Sequence, residues 1–207
     1  MTEINSIKLK TQFKEGYSLL TQAVRMYNED EEQLSSGPLV LTARVFAKYF
    51  KGATMCTGNL DISDTHCISR TEKGEDGSIS VTNRDYKYTN YARNTEYVNT
   101  SAFDDTQFYL MNNMLIIVDV NLRNGHQLIS IDVNGKTAKP NAAGHDLFTF
   151  ELQQSDKSGG YELVPSGAPN TFFENSAYCS RTGSDKYNGI GCAYHALQNE
   201  DYFKNLP

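Results

Sequence analysis

The residues best placed for chemistry are oxygens gathered around one turn. Asp132, Asn134 and Asp146 flank the stretch Asp132-Val-Asn-Gly, which runs on through Pro140-Asn141 and Gly144. Calcium takes roughly six to eight oxygen ligands, drawn from carboxylates, amide carbonyls and backbone. The spacing is not an EF-hand, because Gly follows Asn134 at once and no Glu closes the loop. The same side chains can instead bond their own backbone, with Asp132 and Asn134 holding the turn and Asp146 capping a strand start. A calcium site and a self-held turn are the two readings.

Four histidines, His66, His126, His145 and His195, are spread along the chain. His145-Asp146 and His66-Cys67 are adjacent pairs, and adjacent strand residues point to opposite faces. Neither pair can act as nucleophile and base on one strand. No HxH, HExxH or GxSxG pattern occurs. Solvated turn histidines are the expectation, and no catalytic constellation is found.

Four cysteines form two local pairs, Cys56 with Cys67 and Cys179 with Cys192, 11 and 13 positions apart. No CxxC occurs, so zinc and thioredoxin chemistry are disfavoured. Two bridges closing two loops is the simpler account, and it requires an oxidising compartment. The alternative is free thiols in a cytosolic protein. A bridge between Cys179 and Cys192 would contribute about 3 kcal/mol by chain entropy. Tyr86, Tyr88, Tyr91 and Tyr97 are either a sugar or partner platform or ordinary strand-edge and loop aromatics.

These groups need a frame. Ile7, Phe13, Tyr17, Leu20, Val24 and Tyr27 make one apolar stripe, predicting a helix over residues 5–27. The charges Lys8, Lys10, Lys14, Glu15 and Arg25 on its other face either meet neighbours or stay solvated. The acidic run 28–32 is poor company for a helix C-terminus and should fray it. Ser36 and Pro38 mark the start of a shorter helix to about Phe50, with Gly52 placed to end it. Residues 56–105 are polar and turn-rich, predicting long loops with short strands. From Phe108 the pattern changes. Met114-Leu-Ile-Ile-Val is a buried strand, and Asn124-Gly125 is a hairpin turn into Leu128-Ile-Ser-Ile. Two further strands, Asp146–Leu152 and Tyr161–Pro165, complete a four-stranded antiparallel meander, with a turn expected at Ser158-Gly-Gly. Its partner layer is the N-terminal helix. A short helix is expected over 193–203.

The expected organisation is α+β and one domain over 1–207, with a helical part at 1–52, a loop-rich insertion at 53–107, and sheet plus C-terminal loop at 108–207. The chain has 207 residues, enough to bury a core without staples. Nineteen Lys and Arg against 25 Asp and Glu give a net charge of −6. The basic residues are scattered, so a phosphate-backbone binder is disfavoured and no nucleic-acid partner is expected. No run of 18 apolar residues occurs, and no secretory signal pattern is visible.

The order of long helix, polar middle, antiparallel meander and cysteine-closed tail resembles the type IV pilin and type II secretion pseudopilin family. The local match is most specific in the segment 131–150, with D-x-N-G, then P-N, then G-x-D-x-F-x-F. The segment 183–197, with Asn-Gly-Ile-Gly-Cys-Ala-Tyr, resembles the end of the same proteins, and 9–26 resembles the pilin helix just beyond the membrane. These cover about half the chain. The resemblance implies a pilin-like fold and a structural subunit of a surface filament or secretion pseudopilus. It implies assembly rather than catalysis, with other pilin or pseudopilin subunits as partners. Some pseudopilins bind calcium in a C-terminal loop, which bears on Asp132, Asn134 and Asp146. The family begins with a basic leader, a processing site and about 20 apolar residues, none of which stands in this chain. The expectation is the soluble part of a protein anchored in the inner membrane before assembly and displayed in the periplasm or at the cell surface. The Cys179–Cys192 lobe would lie on the fibre surface. The competing class is an exported ligand-binding module or adhesin on the same frame, with 56–105 as its recognition surface.

Overall fold

The computed structural model describes residues 3–30, 41–56, 65–68, 71–73, 79–81, 88–95, 103, 105–155 and 160–207. It is an α+β arrangement of an N-terminal helix, a six-stranded antiparallel sheet and two disulfides.

Helix α1 spans Glu3–Glu29. Its buried face is Ser6, Leu9, Phe13, Gly16, Leu20, Ala23, Val24 and Tyr27, spaced by one, three or four residues, which places them on one side of a helix. Ile7 departs from the expected stripe and is 57% exposed. It lies two residues before Leu9, about 200° around the axis, so it points away from the sheet. The helix gives way at the acidic run, with Asp30 N–H bonding the Tyr27 carbonyl at 3.3 Å.

A short helix, α2, covers Ala43–Phe46 and tightens into a 3-10 turn over Ala47–Tyr49. Thr42 caps it, its hydroxyl accepting from Val45 N–H at 3.3 Å. The expected cap Ser36 and first-turn Pro38 lie outside the described residues, as does the turn at 158–159. Gly52 follows at φ +74°, the left-handed conformation that ends such a segment.

The sheet strands are β1 (Thr54–Met55), β4 (Thr106–Tyr109), β5 (Leu115–Arg123), β6 (His126–Asp132), β7 (Leu147–Gln154) and β8 (Tyr161–Pro165), in the order β1-β4-β5-β6-β7-β8. A separate pair, β2 (Thr71–Lys73) and β3 (Ile79–Val81), forms a small antiparallel ribbon. The four expected strands are β5 to β8. The two additional strands, β1 and β4, are two and four residues long and lie at the two ends of the segment expected as a loop-rich insertion. Asn124 and Gly125 take φ +51° and +85° at the β5–β6 turn, as a two-residue hairpin requires.

Both sheet faces are covered. Ile116, Val118, Ile129, Ile131, Phe148 and Phe150 face α1. Phe13 lies at the centre, its ring 4.2 Å from Phe148 and 5.5 Å from Phe203. A Cβ on Gly16 would fall 2.8 Å from Ile131 Cδ1, so the helix backbone itself rests on β6. Leu115, Ile117, Leu128 and Leu147 face the other way, against Ile68, Tyr88, Phe103, Phe173 and Ile190 from loops. The uninterrupted apolar run 114–118 reflects this two-sided burial.

Two glutamines tie loops to that frame through paired amide bonds. Gln107 donates to the Ile68 carbonyl at 2.7 Å and accepts from Ile68 N–H at 2.9 Å. Gln127 does the same with both backbone groups of Leu41. At the other border, Asn28 of α1 takes both backbone groups of Tyr161, at 2.7 and 2.8 Å. A last helix, α3, spans Cys192–Gln198 and is followed by a 3-10 turn over Tyr202–Lys204. No helix among the described residues is long and apolar enough to cross a membrane.

Candidate functional site

The loop from Val133 to Asp146 joins β6 to β7 and holds all three expected oxygen ligands. Its shape follows from residues that tolerate unusual backbone. Gly135 sits at φ +80°, where a Cβ would meet the Asn113 carbonyl at 2.3 Å. Pro140 follows a cis peptide bond, and Asn141 takes φ +50°. The carboxylates pin these turns. Asp132 accepts from Gly135 N–H at 2.8 Å and Asn134 N–H at 3.2 Å on one oxygen. The Tyr88 hydroxyl donates a short bond to the other. Asp146 accepts from Asn141 and Ala142 N–H, each at 2.7 Å.

Both carboxyls are fully buried. Burial, then the charge of Asp146, raises the Asp132 pKa well above its ordinary value. Burial raises that of Asp146 too, against its two backbone hydrogen bonds. Burial and the Asp132 charge also push the Tyr88 phenol upward. Every carboxylate oxygen of the pair therefore already accepts a donor. Asn134 donates its amide N–H to the Lys139 carbonyl at 3.0 Å. The buried amide oxygens left without a partner in this loop are Asn134 Oδ1 and Asn141 Oδ1. Among the described residues no group of three or more His, Cys, Asp or Glu is arranged to hold a metal. The hydrogen bonds seen are those by which Asp132 and Asp146 hold the turn's own backbone.

His145 corrects the expectation of solvated turn histidines. It is fully buried, and its Nε2–H donates to the Tyr91 carbonyl at 2.9 Å. Burial lowers its pKa to about 4, so it is neutral at pH 7. His126 is half-buried, and its Nδ1 lies 2.8 Å from Glu151. Glu151 is fully buried on β7 and also accepts from Ser166 Oγ at 3.1 Å and Phe172 N–H at 2.9 Å. It anchors the turn at 166–173 to the sheet. His66 stacks on Tyr109 at 4.5 Å, and His195 is exposed on α3.

The four tyrosines between 86 and 97 are described only in part. Tyr88 and Tyr91 are buried, while Tyr86 and Tyr97 lie outside the described residues. Cys56–Cys67 and Cys179–Cys192 are disulfides with Cα separations of 5.9 and 5.0 Å. The C-terminal bridge ties α3 to a lobe that Asn188 organises internally. Its side chain donates to the Ser180 and Gly183 carbonyls and accepts from Ser180 N–H, all at 2.8 Å. The two bridges are consistent with an oxidising, extracytoplasmic location. Of the helix charges, Lys10 and Lys14 pair with Glu200, and Arg25 pairs with Glu29.

A cavity of about 410 Å³ lies beside the 133–146 loop, between α1 and the C-terminal residues. Lys8, Arg93 and Lys139 line it, together with Gln12, Pro140 and Leu206. These positions are too far apart in sequence for spacing to join them, and no sequence signal marked the cavity. Tyr88 as the partner of Asp132 was hidden for the same reason, 44 residues away. No known protein family, no curated protein and no solved structure matches this chain.

Proposed function

We propose that this chain is the soluble part of a pilin or pseudopilin subunit, which acts by assembling into a surface filament or a type II secretion pseudopilus. Its partners are other such subunits. An apolar helix upstream of α1 anchors it in the inner membrane before assembly, with the sheet and loops on the periplasmic or outer side. The observation that carries the reading is a conjunction. The 131–150 motif of the family resemblance forms the β6–loop–β7 unit, and a 27-residue helix lies along that unit. Two disulfides support export. Apolar side chains exposed on α1, Ile4, Ile7 and Met26, support a helix face that receives other helices.

The test uses the complete gene product in its own cells. Ile7→Glu changes an exposed position, so the unfolding free energy of the soluble chain should stay within about 0.5 kcal/mol of the parent. The amount of protein recovered in sheared surface filaments or pseudopili should fall at least about tenfold, the effect of burying an unpaired charge at an interface. Protein found only as free extracytoplasmic monomer, with the parent and the variant alike, would overturn the reading.

A further inference from the structure

The cavity beside the 133–146 loop is lined by three cationic side chains and by no acidic side chain, with Pro207 also on its wall. Lys8 comes from α1, Arg93 from the turn after Tyr91, and Lys139 from the loop itself. The chain as a whole carries an excess of six acids, whereas the charged side chains of this lining are all basic. Among the described residues, no carboxylate lies within 4.0 Å of any of the three. Lys10, two positions from Lys8, shows the contrast, since it is paired with Glu200.

The positions are built rather than incidental. Arg93 sits at φ +56°, a conformation that costs a non-glycine residue free energy and is held by Arg93 N–H bonding the Asn90 carbonyl at 3.0 Å. Asn90 is itself fully buried and tied to the C-terminal lobe through the Gly183 carbonyl. The Lys139 carbonyl is held by the Asn134 amide at 3.0 Å. Leu9, Pro140 and Leu206 supply apolar wall. A volume of about 410 Å³ is in the range of small-molecule pockets.

We propose that this cavity binds a small multivalent oxyanion, a phosphate ester or a polycarboxylate, through Lys8, Arg93 and Lys139. Like charges around one cavity repel, and an anion between them relieves that repulsion. The guanidinium offers a planar fork to a phosphate or carboxylate, and the two ammonium groups act as point charges. The inference is independent of assembly, because it concerns one copy of the chain.

The probes are pyrophosphate and citrate, titrated calorimetrically into the soluble chain at low salt, with potassium chloride at matched ionic strength as reference. Both should bind at one site. The tighter of the two assigns phosphate or carboxylate chemistry to the ligand. Lys8→Gln and Lys139→Gln should each raise Kd about fivefold, the scale of one exposed ionic contact, and the double variant more. All three positions are exposed, so these variants should keep the parent's thermal midpoint. Lys48→Gln removes the same charge outside the cavity and should leave Kd unchanged. The proposal is overturned if neither probe gives heat beyond the chloride reference. It is overturned equally if Lys48→Gln weakens binding as much as Lys139→Gln.

Discussion

At the scale of single residues, the buried acids decide how the molecule responds to pH. Asp132 has its pKa raised from 3.8 to about 8. A raised acid keeps a proton in the fold that the unfolded chain has already released. Its stabilising contribution is complete below the ordinary value and is lost as pH rises through the folded one. Asp146 and Asp119, raised to about 6, lose theirs in the same sense at lower pH. His145 opposes them, because its lowered pKa makes stability rise with pH between about 4 and 6.5. Above that range Asp132 dominates. The thermal midpoint should therefore decline from about pH 6.5 to 8.5, and Asp132→Asn should flatten the decline. Asparagine keeps an oxygen for the Asn134 and Gly135 N–H groups while removing the charge. Calcium added at pH 8 should leave the midpoint unchanged; a rise that Asp132→Asn abolishes would instead mark a cation site. The Asp132-Val-Asn-Gly turn was legible from its residue types, since Asp and Asn bond nearby backbone. Its burial was not, because the covering Tyr88 comes from a distant polar stretch. His145 was misjudged for the same reason: polar neighbours in sequence do not report what packs over them in space.

At the scale of elements, α1 is held by its aromatic and small residues rather than by its charges. Phe13 has no exposed surface and touches Phe148, Phe150 and Phe203. Phe13→Ala should cost about 3–5 kcal/mol in denaturant unfolding, whereas Ile7→Ala should cost less than about 0.5. Equal losses would mean that the helix is rotated from the orientation described. Glu151→Ala should destabilise by about 2–4 kcal/mol, because it leaves Phe172 N–H and Ser166 without their acceptor. α1 and strands β5 to β8 were legible because their apolar spacing repeats over many residues. β1 and β4 were not, since two and four residues are too few for any period to show. Ile7 stands six residues before Phe13, about 120° around the axis from it, so that spacing does not keep it on the buried stripe.

At the scale of the whole molecule, stability is shared between a sheet covered on both faces and two covalent ties. The loop-covered face was invisible in the sequence, because Ile68, Phe103 and Phe173 come from short apolar spots in polar stretches with no periodicity. Replacing Cys179 and Cys192 together by alanine should lower stability by about 3 kcal/mol on the chain-entropy account. It should also loosen α3, whose first residue is Cys192. Thiol titration of protein taken from its native compartment should find no free sulfhydryl; four reactive thiols would place the chain in a reducing environment.

The outer strands carry a last consequence. β1 is two residues long, while β8 ends at Pro165 and has both backbone groups of Tyr161 taken by Asn28. An intruding chain finds few vacant amides at either border, so lateral zippering into amyloid-like ribbons is blocked. Copies crowded at high local density therefore keep their own strands.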